Sequence, residues 1–417
     1  MPMSLPDKVR ELIEKGVAVR DPSSVDIGDE VHLDRISGRG VVLYGGTKIY
    51  GARTIISEGV KVGYEAPATV VDCLVAPWVE LKGGFFQSSV FLDRAAIASG
   101  AHVREGCLLE EETKAGHTVG LKQTILFPFV TLGSLVNFCD CLMAGGVGRE
   151  NHSEVGSSYV HFNYTPQRDK ATPSLIGDVP GGVMLNQLPV FLGGQGGLVG
   201  PVRIDYGTVI TAGTVWRHDS AGAKLLHGNE SRPIRQDYHA DFYGDIRRKV
   251  HNNIVYIANL LALSQWYVHV RRNFFLKREM GAEFFEGARG LLSAAIGERL
   301  RRFHDFSKKM LISVATGELK RGDGVDLLRQ QRELAEKWPE IETSFEDSRD
   351  ENLGGKNRDI FLEMLEKPLK AGSSYIEAIR GLDGDARLAG TLWLQEIVDD
   401  VTSQALARLP SFRSHVA

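Results

Sequence analysis

Val60-Lys61-Val62-Gly63 and Val130-Thr131-Leu132-Gly133 decide the fold: an aliphatic residue, a polar one, a second aliphatic residue, then glycine. The same texture recurs in Val25-Asp26-Ile27-Gly28, Ala101-His102-Val103, His117-Thr118-Val119-Gly120 and Val209-Ile210-Thr211-Ala212-Gly213. In the cleaner segments the spacing is near six residues or a multiple of it. Such a hexapeptide period predicts a parallel β-helix, with one aliphatic side chain per face pointing into the prism and a small residue at each corner. The composition agrees. There are 46 glycines and only 15 prolines, which argues for many tight turns and against disorder.

The repeats extend from about Val25 to Val215. They predict a left-handed parallel β-helix over 23–220, preceded by a short amphipathic helix and entry segment over 1–22. Phe85-Phe86 and Phe127-Pro128-Phe129 interrupt the pattern and suggest bulges or protruding loops. Val179 to Pro189, rich in glycine and proline, is too long for a corner and reads as a loop leaving the prism. After Asp219 the apolar residues move to helical spacing: Val250, Ile254, Ile257 and Leu261, then Leu291, Leu292, Ile296 and Leu300, then Leu392, Ile397 and Val401. A helical domain is therefore expected over 240–417. Charges such as those of Arg299 to Arg302 read most simply as solvated faces.

Other totals limit the function classes. The 417 residues suffice for two or three domains, and a net charge of -4 gives no reason to expect nucleic acid or an acidic membrane as partner. Cys73, Cys107, Cys139 and Cys141 form no CxxC pair and read as small buried residues of a reducing compartment. No signal-type segment or membrane-length apolar run is present. A cytoplasmic location is expected.

Asn163-Tyr164-Thr165-Pro166, Lys170 and Gly193-Gly194-Gln195-Gly196-Gly197 carry a family resemblance. From Leu12 to about Asp219 the chain resembles the left-handed β-helix half of the bifunctional N-acetylglucosamine-1-phosphate uridyltransferase/glucosamine-1-phosphate acetyltransferase family. The uridyltransferase half has no counterpart here, so that activity is not expected. The resemblance implies an acyl-CoA-dependent N-acyltransferase, with acetyl-CoA or another acyl-CoA as cosubstrate. The acceptor would be an amino-sugar phosphate or nucleotide-sugar related to UDP-N-acetylglucosamine, and the assembly a homotrimer.

By the same resemblance Arg104 and Lys122 would hold phosphate, though both could equally be ordinary corner charges. Asn163, Tyr164 and Lys170 would lie at the acceptor and coenzyme A groove. Gly194, Gln195 and Gly196 would let the cofactor run along the backbone, and Ala212 would contact it. Within Gly133-Ser134-Leu135-Val136-Asn137, Ser134 stands where the family has its catalytic histidine and Asn137 where it has tyrosine. Serine cannot act as a base unaided, so His152, and after it His161, are the candidate bases. The spacing of the histidines does not fit a shared zinc site, and no metal is expected. The alternative is a non-catalytic sugar-nucleotide binder or scaffold that has lost the base.

Overall fold

The computed structural model describes residues 5–228, 238–318, 325–350, 353, 355–370 and 372–415. The chain forms a three-faced parallel β-helix followed by a helical domain, as the repeat pattern predicts. Among the described residues, the first face has eleven strands, from Ala18–Val19 to Leu225–Leu226. The second and third faces are joined where Gly120–Leu126 and Asn137–Met143 run through the corner without a break. Residues in register on adjacent coils stack into columns. Leu43, Val62, Leu81 and Ile97 form one inward column of the first face and are buried in the prism. The Asp7–Glu14 helix closes one end. It buries Val9 and Leu12 on the core, and Lys8 Nζ donates to the carbonyls of Gly28, Asp29 and Val31.

The third face is apolar on both sides. Ile56, Val75, Phe91, Leu109 and Leu126 point into the prism, while their neighbours Ile55, Leu74, Val90, Leu108 and Ile125 point outward. The outward column is nevertheless buried, because the helical domain lies on it. A strand covered on both faces reads as a continuous apolar run.

Three helices dominate the cover. The central one, Arg247–Trp266, continues through a π-helical turn, Tyr267–Arg271. The longest is Gly281–Glu318, and Gly384–Ala407 is the last long one. The longest helix runs along the prism. Gly287 abuts Leu74, and Arg299 pairs with Asp140 at 2.7 Å. Those twelve helical steps rise about 18 Å. The four coil spacings between Leu74 and Asp140 cover about 19 Å, so the two axes are nearly parallel.

Cations of the helical domain meet carboxylates of the β-helix and its excursion across this interface: Lys249 with Asp169, Arg278 with Asp93, Arg299 with Asp140, and Arg271 with Glu110 and Glu111. Arg271 is fully buried, with its guanidinium 3.4 Å from the Tyr375 ring centroid. Tyr267 donates to Glu110 at 2.6 Å.

Three expectations are corrected. Phe85-Phe86 lies in a regular strand, Gly84–Gln87, and Phe86 is in the prism core. Phe127 and Phe129 do not protrude; they are buried beneath the helices. Arg299 is not on a solvated face but is 3% exposed. The Val179–Pro189 segment does leave the prism. It includes a one-turn helix, Val179–Gly182, and buries Val179, Val183, Met184 and Leu185 against the helical domain.

Candidate functional site

Four of the expected binding residues share one strip of surface. On the second face His102, Gly120, Asn137 and Val160 form an outward column, with Lys122 beside Cys139 in the next. Arg104 Nη2 lies 3.6 Å from Cys139 Sγ, which is 3.4 Å from Asn137 Oδ1. Lys122 pairs with Glu105 at 2.5 Å. Burial alone would raise the Glu105 carboxyl, but the hydrogen bond and charge of Lys122, a backbone hydrogen bond and the nearby charge of Arg104 together more than offset this and hold it below its ordinary value. Asn163 Nδ2 donates to Asp140 Oδ2 at 2.7 Å, and Asp140 is itself paired with Arg299. Lys122 and Arg299 are thus already neutralised. Arg104 forms no ion pair among the described residues, which leaves its guanidinium as the cation of the strip open to an anion.

Tyr164 and Lys170 lie just beyond, on the excursion between the second and third faces. Lys170 Nζ is 6.0 Å from the Tyr164 ring centroid, and both residues are exposed. The helical domain grips this excursion. The Gln167 side chain donates to the His239 and Phe242 carbonyls and accepts from the Asp241 amide. Asp169 accepts from Lys249, Tyr243 and Thr165. Burial would raise the Asp169 carboxyl, but Lys249 and these hydroxyls hold it low.

The two candidate bases lie elsewhere. His161 points inward and is 2% exposed, between the Cys139 carbonyl and Ser174 Oγ, each at 2.7 Å. A carbonyl only accepts, so Nδ1 carries the proton and Nε2 accepts from Ser174. Burial pulls its pKa down to about 4. His152 is half-buried in a two-stranded antiparallel ribbon, Gly146–Gly148 with Asn151–His152, at the edge between the third and first faces. Its buried Nδ1 has no hydrogen-bond partner among the described residues, and burial, with Arg149 nearby, lowers its pKa.

The glycine cluster forms the edge between the first and second faces. Its glycines permit close stacking of coils: a Cβ on Gly194 would stand 2.8 Å from the Ser157 carbonyl, and one on Gly196 2.7 Å from that of Thr214. Gln195 is exposed with φ 53°, and its amide donates to Ser157. The amides of Gly193 and Gly197 are also used within the solenoid, by Ile210 and Thr214, so much of the cluster's backbone is not open to a ligand. Ala212 is exposed in the next coil. Within one chain, the His152 ribbon, the Asn163–Lys170 excursion and the glycine corner therefore occupy three different edges of the prism.

Sequence reading missed Glu105, Cys139, Asp140 and Arg299. Asp140 left a trace: an acid between two cysteines inside an apolar run, which needs a cation when buried. Its partner, 159 positions away in the chain, left none.

No family model matches the chain. It is similar to the bifunctional protein GlmU of Thermotoga petrophila and of Thermotoga maritima, 27% identical to each over 232 residues, covering 55% of this chain and 46% of the relative. The GlmU of Trichlorobacter lovleyi is 27% identical over 212 residues. The chain spans less than half the length of these relatives. Among solved structures, the UDP-N-acetylglucosamine O-acyltransferase LpxA of Moraxella catarrhalis covers 52% of this chain and 70% of its own at 13% identity and a TM-score of 0.22. No helix among the described residues is long and apolar enough to cross a membrane.

Proposed function

We propose that the protein binds an amino-sugar phosphate or nucleotide-sugar along the second face and acts on it as an acyl-CoA-dependent N-acyltransferase. The observation that carries this is the strip of Arg104, Lys122, Asn137 and Asn163, with the Arg104 guanidinium near Glu105 but in no ion pair among the described residues. Arg104 would hold phosphate, and the amides of Asn137 and Asn163 would orient the sugar. The acyl-CoA would run past Gly194, Gln195, Gly196 and Ala212, with Tyr164 and Lys170 at its phosphates. Because these groups occupy separate edges, the complete site would form between neighbouring copies. His152 of a neighbour would then take the proton from the attacking amine. Its lowered pKa keeps the imidazole neutral near pH 7, as a base requires.

A second reading, a binder without chemistry, is favoured by His161. Its two nitrogens are already engaged, and Ser134 stands at the family's base position. Titration calorimetry with a UDP-amino-sugar, alongside an assay for thiol released from acetyl-CoA, separates the two. Wild type is expected to bind, with Arg104→Ala weakening affinity about tenfold, the scale of a charged hydrogen bond. Thiol release that falls about 10²-fold or more in His152→Ala supports transfer. Binding without thiol release supports the second reading, and no binding overturns both.

A further inference from the structure

Trp78 stands on the edge between the third and first faces, at the corner that links Leu74–Val75 to Glu80–Leu81. It is 55% exposed. Its backbone is left-handed, with φ 63°, a conformation unfavourable for a bulky side chain, and the equivalent corner of the preceding coil has Gly59 instead. The six-membered ring of the indole lies over that glycine: a Cβ on Gly59 would stand 2.3 to 2.7 Å from Cε3, Cδ2 and Cζ3. One side of the ring is thus backed by backbone. Among the described residues its Nε1 has no hydrogen-bond partner.

Two hollows meet at this ring. One, of about 440 Å³, runs toward the start of the longest helix and is lined by Ser57, Glu58, Asp93, Arg278 and Phe284. The other, of about 550 Å³, lies toward the first face among Lys61, Glu80, Arg94 and Ala96. The charges of both are matched. Arg39 pairs with Glu58 at 3.3 Å and with Glu279 at 2.5 Å, Arg278 with Asp93 at 2.5 Å, and Lys61 with Glu80 at 3.0 Å. Arg94 lies within reach of the Glu377 charge, and Lys277 Nζ donates to the Leu369 carbonyl.

We propose that Trp78 is the shelf of a binding site for a neutral oligosaccharide, with one pyranose ring stacked on the indole and its neighbours in the two hollows. A pyranose with equatorial hydroxyls has an apolar C–H face that an indole can cover, and a rim of hydroxyls that both donate and accept. Paired guanidinium, ammonium and carboxylate groups offer donors and acceptors together without calling for a counter-charge, so they suit hydroxyls rather than an ion. A protein partner fits less well. Interface cores are depleted of charge, and closing over these pairs would strip them of water. The ring is about four coil spacings, or ~19 Å, from the coil that leads into the His152 ribbon, so the site does not rest on the reading of the second face.

The test is calorimetric titration of the full chain with cellotetraose and with the β-1,4-linked tetramer of N-acetylglucosamine, both neutral, and with β-1,4-linked tetraglucuronate as the charged counterpart. Saturable binding of at least one neutral tetramer is expected, with the same affinity at low and high salt. The bound tetramer should also shield tryptophan fluorescence from acrylamide in the wild type. Trp78→Gly should weaken binding about tenfold, the scale of one aromatic stacking contact, while Trp78→Phe keeps a ring and should lose less. Glycine accepts the left-handed corner, so Trp78→Gly should melt close to wild type. Arg104→Ala, on the second face, should bind the tetramer as wild type does. Failure of both neutral tetramers to bind, binding without shielding, full affinity in folded Trp78→Gly, a preference for tetraglucuronate, or loss of binding in Arg104→Ala would each overturn the proposal.

Discussion

At the scale of single residues, His161 and Glu110 set opposing demands on the proton. His161 is neutral in the core with a pKa of about 4, so the folded state binds fewer protons than the unfolded chain between there and pH 6.5. The stability it contributes is present above 6.5 and is lost as pH falls through that window. The gap corresponds to roughly 3 kcal/mol. Glu110 runs the other way. Burial lifts it from 4.5 to about 7 despite Arg271, so its contribution is full below 4.5 and is lost as pH rises through 7. Between pH 6.5 and 4.5 the two offset each other. Glu110→Gln should therefore lose stability more steeply than wild type over that interval, as read from urea midpoints at the two pH values. Equal slopes would show that Glu110 does not titrate as its burial requires. The imidazole carbon resonances of His161 should likewise hold their neutral values down to about pH 5.

At the scale of elements, the glycine corner and the third face show what a sequence conceals. Gly194→Val is an obvious probe of a cofactor groove past the glycine corner, but its Cβ would press on the Ser157 carbonyl, a backbone atom fixed by stacking. The substitution is expected to cost about 1–3 kcal/mol by overpacking, with or without any ligand, and thermal melts without ligand measure it. An unchanged melting temperature would mean that the corner relaxes and would restore Gly194 as a clean probe. The prism was legible because the hexapeptide period is local: each aliphatic-x-aliphatic step needs only its own corner. The third face carried an equally local sign in Ile55-Ile56, Leu74-Val75, Val90-Phe91 and Leu108-Leu109, apolar pairs where a solvated face would alternate. Those pairs announce a cover but not what supplies it. Arg104, Lys122, Asn137 and Asn163 are picked out in the sequence by resemblance, and the stacking of their coils in register is what brings them onto one strip. The cations from the helices could not be found that way, since Lys249, Arg271 and Arg299 meet their carboxylates only after the helical domain has docked.

At the scale of the whole molecule, the helical domain alters which surfaces are free for assembly. Covering Ile55, Leu74, Val90, Leu108, Ile125, Leu142 and Leu175 is worth on the order of 10 kcal/mol at about 1.5–3 kcal/mol per large side chain. That equals the net stability of many domains, so the third face is closed within the chain and is not available to another copy. A three-fold assembly must then use the other two faces. The first carries Lys61 paired with Glu80, then Lys114 and Glu154, in its outward column. The second is less charged in its outward column, with half-buried Phe85 and Val160, exposed Phe162 nearby and Gly120, which has no side chain, at its centre. A homotrimer joined along the second face is the expected outcome, placing the Arg104 strip of one copy against an edge of the next. Gly120→Arg tests it: the nearest atom to a Cβ there is Asn137 Oδ1 at 3.8 Å, so the fold accepts the side chain while the face acquires a bulky charge. Sedimentation should give a trimer for wild type and a monomer for Gly120→Arg with unchanged circular dichroism. A trimer that survives Gly120→Arg would move the interface to the first face. A wild-type monomer at micromolar concentration would remove the shared site altogether, because His152 and Asn163 occupy different edges of one prism.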